Sequence, residues 1–353
     1  MKLLRNVVRV FGPAVVSATI GCRPNLAPLA PKAIVPPVAL CAADCRDSVE
    51  ITYLGAGGFL IRHGANAVMA SPSFTHHGLL RTFLPFFSIA PDTALVRLML
   101  ARERLDGVSA VLVGHAHYDH LLDAPFVVSL LPRSAKLYGG PTAGNILWPV
   151  EELRGRFVSL TGAAVSDQFH RGDWLPSADA SIRFMAMRNN HPPNFYFFGT
   201  FPYTYARGSV TKPRRSLPRT PRGWKLGETY AYLIDIMGPD KKPIFRIFYQ
   251  DAAGEPQYST LPPVLGDDER PVDVAIICAG NYGYATGYPT ALLRALHPKH
   301  VIVGHWEDFF RAPLPVYQAI RLTDTYRLAA RIEETQRGAW VTPEPRARIV
   351  YAF

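Results

Sequence analysis

The segment Gly114-His-Ala-His-Tyr-Asp-His120 carries the densest chemistry in the sequence. It places the imidazoles of His115, His117 and His120 beside the carboxylate of Asp119. Neutral imidazole is a good zinc ligand, and a carboxylate adds a hard oxygen. Few structural roles need four such side chains so close together, so the cluster reads as a metal site. The β-branched run Ala110 to Val113 leads straight into it and reads as a buried strand. The C-terminal end of a buried strand is where an α/β protein can present functional side chains.

The elements around the cluster repeat this strand-then-loop arrangement. Ser181 to Met187 reads as a strand followed by His191, Ile244 to Gln250 as one running into Asp251, and Val301 to Gly304 as one leading into His305. A histidine before two prolines or a single aspartate after a strand means little alone. Recurrence at three strand ends argues for one convergent site. Upstream, Val49 to Leu54, Phe59 to Arg62 and Ala67 to Ala70 read as strands, with turns at Gly55 to Gly58 and at Gly64. Tyr230 to Ile236 and Val274 to Cys278 read as further strands. Helices are expected over Asp92 to Arg104, from Asp123 onward, over Pro289 to Leu296 and over Asp324 to Glu334. The alternation throughout predicts an α/β protein.

His-x-His-x-Asp-His after an apolar strand resembles the metallo-β-lactamase superfamily, and the resemblance extends from about Val49 to the C-terminus. It implies a four-layered αββα sandwich with a two-metal site at one edge of the sheets. Carried across, it makes His115, His117 and His191 ligands of a first ion. Asp119, His120 and His305 become ligands of a second, and Asp251 a carboxylate bridging the two. Zinc is the favoured metal. Asp119 and Asp251 would also orient the nucleophile. One departure concerns Ser71-Pro72, where many members carry Asp-Pro; that aspartate helps organise the site, so Ser71 puts the surroundings of the ligands in doubt more than the metals. His76 and His77 lie outside the pattern.

The chain has 353 residues, 48% of them hydrophobic, enough for a sizeable core. Its 19% charged residues and the absence of low-complexity tracts exclude a disordered chain. The formal charge of +10 is local. Part lies in Lys2, Arg5 and Arg9, and part in a loop from Lys212 to Lys225 that includes Arg214 and Arg215. Residues 1–22 read as an export signal, with a short apolar stretch from Val10 to Gly21. Thr19-Ile20-Gly21-Cys22 resembles a bacterial lipobox, in which Cys22 would carry lipid at a membrane surface. Residues 23–46 are a Pro- and Ala-rich tether. The protein is therefore expected to be periplasmic or membrane-anchored, where Cys41 and Cys45 could form a disulfide. The hydrolase domain would span 47–353, with insertions near 73–91 and 192–226.

The motif form His-Ala-His-Tyr-Asp-His resembles N-acyl-phosphatidylethanolamine-hydrolysing phospholipase D and its bacterial relatives. Two ions about 3.5–4 Å apart can share a hydroxide that attacks a phosphoryl or carbonyl centre. Phe195, Tyr196 and the aromatics after them lie beside Arg214 and Arg215, which suits an amphiphile with an anionic head group. Tyr118 is a further candidate for substrate contact. The expected function is a binuclear hydrolase acting on phosphodiesters of a small-molecule or lipid-like substrate. The alternatives are an ester, lactone or amide hydrolase and a metal-binding module without turnover. Export makes nucleic acid a poor candidate substrate.

Overall fold

A computed structural model describes residues 48–84, 86–198, 200–259, 261–262, 269–311, 317–321 and 323–352. The expected export signal, the tether, Cys22, Cys41 and Cys45 lie outside the described residues.

Strands form two large sheets. The first contains Ser48–Gly55 (β1), Gly58–His63 (β2), Asn66–Ala70 (β3), Val108–Leu112 (β4), Lys136–Gly139 (β5), Phe157–Ser159 (β6) and, at its edge, Arg348–Ala352 (β17), in the order β17-β1-β2-β3-β4-β5-β6. The second contains Val165–Ser166 (β7), Ile182–Asn189 (β9), Thr229–Met237 (β12), Pro243–Gln250 (β13), Val274–Cys278 (β14), His300–Gly304 (β15) and Trp340–Val341 (β16). Its order is β16-β15-β14-β13-β12-β9-β7, and Leu175–Pro176 (β8) pairs onto β9. Phe195–Phe197 (β10) and Phe201–Tyr203 (β11) form a separate hairpin inside the second expected insertion.

Side-chain alternation fixes the layers. Successive residues of a strand point to opposite faces. Ile51 and Tyr53 of β1, Phe59 and Ile61 of β2, and Ala110 and Leu112 of β4 enter one core with Phe184, Leu233, Phe248 and Ile276 of the second sheet. Their neighbours Leu54, Leu60 and Val111 enter another core with Val96, Leu121, Val127 and Ile146, which come from helices and turns outside the first sheet. On the far side, Leu292, Leu293, Leu328 and Ile332 cover the second sheet from helices Thr290–Leu296 and Thr325–Glu333. The result is the layered αββα sandwich that the resemblance implied.

Most expected elements hold, with ends shifted by a residue or two. The helix expected from Asp92 to Arg104 stops at Leu100, because its buried stripe of Val96, Met99 and Leu100 ends there. Asp92 caps it by accepting the Leu95 N–H at 2.9 Å. The insertion near 73–91 holds one short helix, Leu79–Phe83. Among the described residues no helix is long and apolar enough to cross a membrane.

Candidate metal centre

The loop after β4 is fixed from three sides. Gly114 N–H donates to Ser71 Oγ at 3.2 Å, Ala116 N–H to the Leu226 carbonyl, and Tyr230 N–H to the Gly114 carbonyl. The short helix Tyr118–Leu121 then begins with His117 at its N-cap, so Asp119 and His120 sit in one turn beside it. Loops after β9, β13 and β15 bring His191, Asp251 and His305 to the same place.

His115, His117 and His191 form a first donor set, with donor atoms within 4.8 Å of one another. Each ring is oriented from behind. His117 Nε2 lies 2.9 Å from the Tyr205 carbonyl, His191 Nδ1 2.7 Å from the Pro192 carbonyl, and His115 Nδ1 3.0 Å from Asp251 Oδ1. An acceptor at one ring nitrogen holds the proton there and leaves a lone pair on the other. The free donors are therefore His115 Nε2, His117 Nδ1 and His191 Nε2. His115 Nε2 is buried with no hydrogen-bond partner. A buried polar atom without a partner is costly, and a cation among the three lone pairs would satisfy it.

The second set is Asp119, His120 and His305, and a third group, His115, His120 and Asp251, spans the two. Asp119 Oδ2 lies 3.4 Å from His120 Nε2 and 3.5 Å from His305 Nε2. Donors bound tetrahedrally to one ion at about 2.0–2.1 Å sit about 3.4 Å from each other. The spacing therefore suits a shared ion better than a hydrogen bond, which would close to about 2.9 Å. The rings of His115 and His120 are 4.2 Å apart, so the two sets are neighbours. The donor chemistry and spacing fit two divalent ions.

Electrostatics keep most of the donors in ligating form. Burial, reinforced by neighbouring imidazoles, pushes His117 well below its ordinary value, His120 to about 3 and His191 to about 4. These rings are neutral at pH 7 and keep a lone pair. Burial alone would raise Asp119, but His120 and His305 hold it well below the usual carboxylate range. Asp251 is likewise held low against the effect of burial by His115 and His120. His305 moves upward, because Asp119 outweighs its burial.

Other residues hold this arrangement without standing out in the sequence. His305 adopts a left-handed backbone (φ 54°), and its N–H donates to Tyr53 Oη at 2.9 Å. Tyr53 Oη in turn donates to the buried Glu307, which also accepts the Ala56 N–H. Asp123 accepts the backbone N–H groups of Phe74 and Thr75, each at 2.7 Å, and so pins the loop after β3 under the motif helix.

His117, Asp119, His120, His191, Asp251 and His305 line a cavity of about 890 Å³, with His115 behind them. Of the residues expected to contact substrate, Tyr118 and Phe195 line it. Tyr196 does not; it is 37% exposed and packs on Tyr284, which does. Arg214 and Arg215 correct the sequence expectation, since neither is among the lining residues. Their loop is tied instead to helix Pro141–Leu147, through Arg214 N–H to the Asn145 carbonyl and Asn145 Nδ2 to the Val210 carbonyl. The arginines at the cavity are Arg311, Arg321 and Arg327, from the C-terminal part of the chain. Phe83 of the first insertion joins Phe309 and Phe310 as an apolar wall. His76 and His77 are not in either donor set.

No protein-family model matches the sequence, and no curated protein matches it. Solved structures do. Igni18, a metallo hydrolase from the archaeon Ignicoccus hospitalis, aligns at 14% identity over 87% of this chain and 99% of its own, with a TM-score of 0.50. The fold is the metallo-β-lactamase-type sandwich. YhfI from Bacillus subtilis, described as a metallo-β-lactamase fold protein, aligns at 10% identity over 85% of this chain and 98% of its own, with a TM-score of 0.47.

Proposed function

We propose that this protein is a metal-dependent hydrolase that binds two divalent ions, zinc for preference, and cleaves phosphodiesters of amphiphilic substrates. The observation that carries the reading is the pair of adjacent donor sets, His115-His117-His191 and Asp119-His120-His305, opening onto one cavity. Bound ions would supply Lewis acidity and lower the pKa of water towards neutrality. Asp119 is ionised and faces the cavity, so it can orient a water molecule by accepting its hydrogen bond. Phe83, Phe195, Phe309 and Phe310 offer an apolar surface for the body of a substrate. Arg311 and Arg321 share the single carboxylate of Asp308, at 2.9 and 2.6 Å, which leaves positive charge beside that surface for an anionic group. The proposal extends to location: an exported protein whose Cys22 carries lipid, tested by fatty-acid labelling of wild type against Cys22→Ala.

A panel of phosphodiesters, carboxylic esters, lactones and amides, assayed on zinc-loaded protein, tests the substrate class. Turnover of phosphodiesters, rising with an apolar tail, is expected. Turnover confined to esters or lactones would overturn the phosphodiester assignment. Elemental analysis finding less than one ion per chain would overturn the two-metal site.

A further inference from the structure

Resting on the two-ion reading, we infer that Asp251 is a positioning residue, one that orients both donor sets from behind instead of bridging the ions. Its carboxylate approaches the Nδ1 edge of two rings, one from each set: His115 Nδ1 at 3.0 Å and His120 Nδ1 at 3.3 Å. The first contact is a hydrogen bond; the second is a close approach without hydrogen-bond alignment. Nδ1 and Nε2 lie on different edges of an imidazole. His120 Nε2 faces Asp119, 3.4 Å away, and His115 Nε2 is the ring's remaining donor. A histidine that ligates through Nε2 needs an acceptor at Nδ1–H to fix its tautomer and ring plane. Asp251 is that acceptor for His115 and is placed to be so for His120.

Two further observations hold the carboxylate there. Both oxygens already have donors, since Oδ1 accepts from His115 and Oδ2 accepts from Ser71 Oγ at 2.6 Å. The side chain is also walled in by backbone. A Cβ added to Gly114 would stand 2.2 and 2.3 Å from the two Asp251 oxygens, and one added to Gly57 would stand 3.3 Å from Asp251 Cβ. The carboxylate therefore occupies a fitted slot under the motif loop. Ser71 shares that slot, with its hydroxyl also accepting the Gly114 N–H. An aspartate at position 71 would set two carboxylates against each other there, and like charges at that range oppose joint ionisation. The identity of residue 71 and the role of Asp251 are thus coupled: the organising carboxylate comes from the end of β13, and serine makes room for it.

The test measures metal content by elemental analysis, Co(II) affinity by titration and the Co(II) absorption spectrum, on the full chain stripped of metal and reloaded. Asp251→Asn should still take two ions per chain, with the d–d band positions of wild type and affinity reduced about 10–100-fold. Ser71→Ala keeps Asp251 but removes its cap, and should weaken Co(II) binding in the same direction by a smaller factor. That variant decides the matter if Asp251→Asn fails to fold by circular dichroism. An Asp251→Asn protein holding one ion, or showing displaced d–d bands, would make Asp251 a direct ligand and overturn the inference. So would unchanged Co(II) affinity in Ser71→Ala. Wild type taking less than one ion would instead sink the two-ion reading itself.

Discussion

The first sheet supplies its site residues from one loop, whereas the second supplies them from three. Both sheets have the same plan, antiparallel strands followed by a parallel run: β1-β2-β3 then β4-β5-β6, and β9-β12-β13 then β14-β15-β16. After β4, a single turn delivers His115, His117, Asp119 and His120. In the second sheet, His191, Asp251 and His305 each need a separate strand end in register with the others. The local group depends on one loop conformation. The distributed group depends on the whole sheet, so it couples the site to global stability.

The sharpest way to break this comparison is within the loop. His117→Ala removes a donor from the first set and opens the site beside His115. Metal catalysis is worth several kcal/mol, so activity on the best panel substrate should fall by about 10³-fold or more. Elemental analysis should show the first ion lost while circular dichroism stays unchanged. A smaller loss is expected in the distributed group. His305→Ala leaves Asp119 and His120 in place and should release the second ion while the first stays bound, which competition with a chelator would resolve.

Acid should act on both groups together. The folded-state values of His120 and His191, about 3 and about 4, lie below the ordinary 6.5. Depressed histidines contribute stability that is complete above 6.5 and is lost as pH falls through that window towards 4 and 3. Metal-free protein should therefore melt at a lower temperature at pH 4.5 than at pH 7.5. His305, which is raised, works in the opposite sense and softens the loss. An unchanged melting temperature across that range would contradict the buried neutral rings. The smallest effect is expected outside the site. Charge reversal at Arg214 and Arg215 should leave KM for an anionic substrate within about twofold, as for surface substitutions generally.

The loop group was fully legible in the sequence because its donors are adjacent and follow a visible β-branched run. His191 and His305 were reachable because each also follows a strand-like run. The supports were not legible. Tyr53 and Glu307 look like an ordinary strand residue and a loop acid; their meeting depends on contact between segments at opposite ends of the sequence. The same holds for β17, whose residues alternate unremarkably until Ala352 pairs with Ser48. Arg214 and Arg215 misled for a related reason. Nearness in sequence to aromatic residues did not bring them to the cavity, whereas Arg311 and Arg321 arrive from the far end of the domain. Spacing reveals what one loop does, and only register between strands reveals the rest.

The pairing of β1 with β17 also sets an order of assembly. As the chain is synthesised, the motif loop and the six strands β1 to β6 of its sheet emerge early, but the edge of β1 stays open until Arg348–Ala352 arrives. His305 and the Glu307 that braces Tyr53 also come late in that sequence. Contacts between segments so far apart close slowly. A nascent chain would thus hold the first donor cluster well before the partners that complete it, and an exposed strand edge in that interval is a site for unwanted pairing between chains.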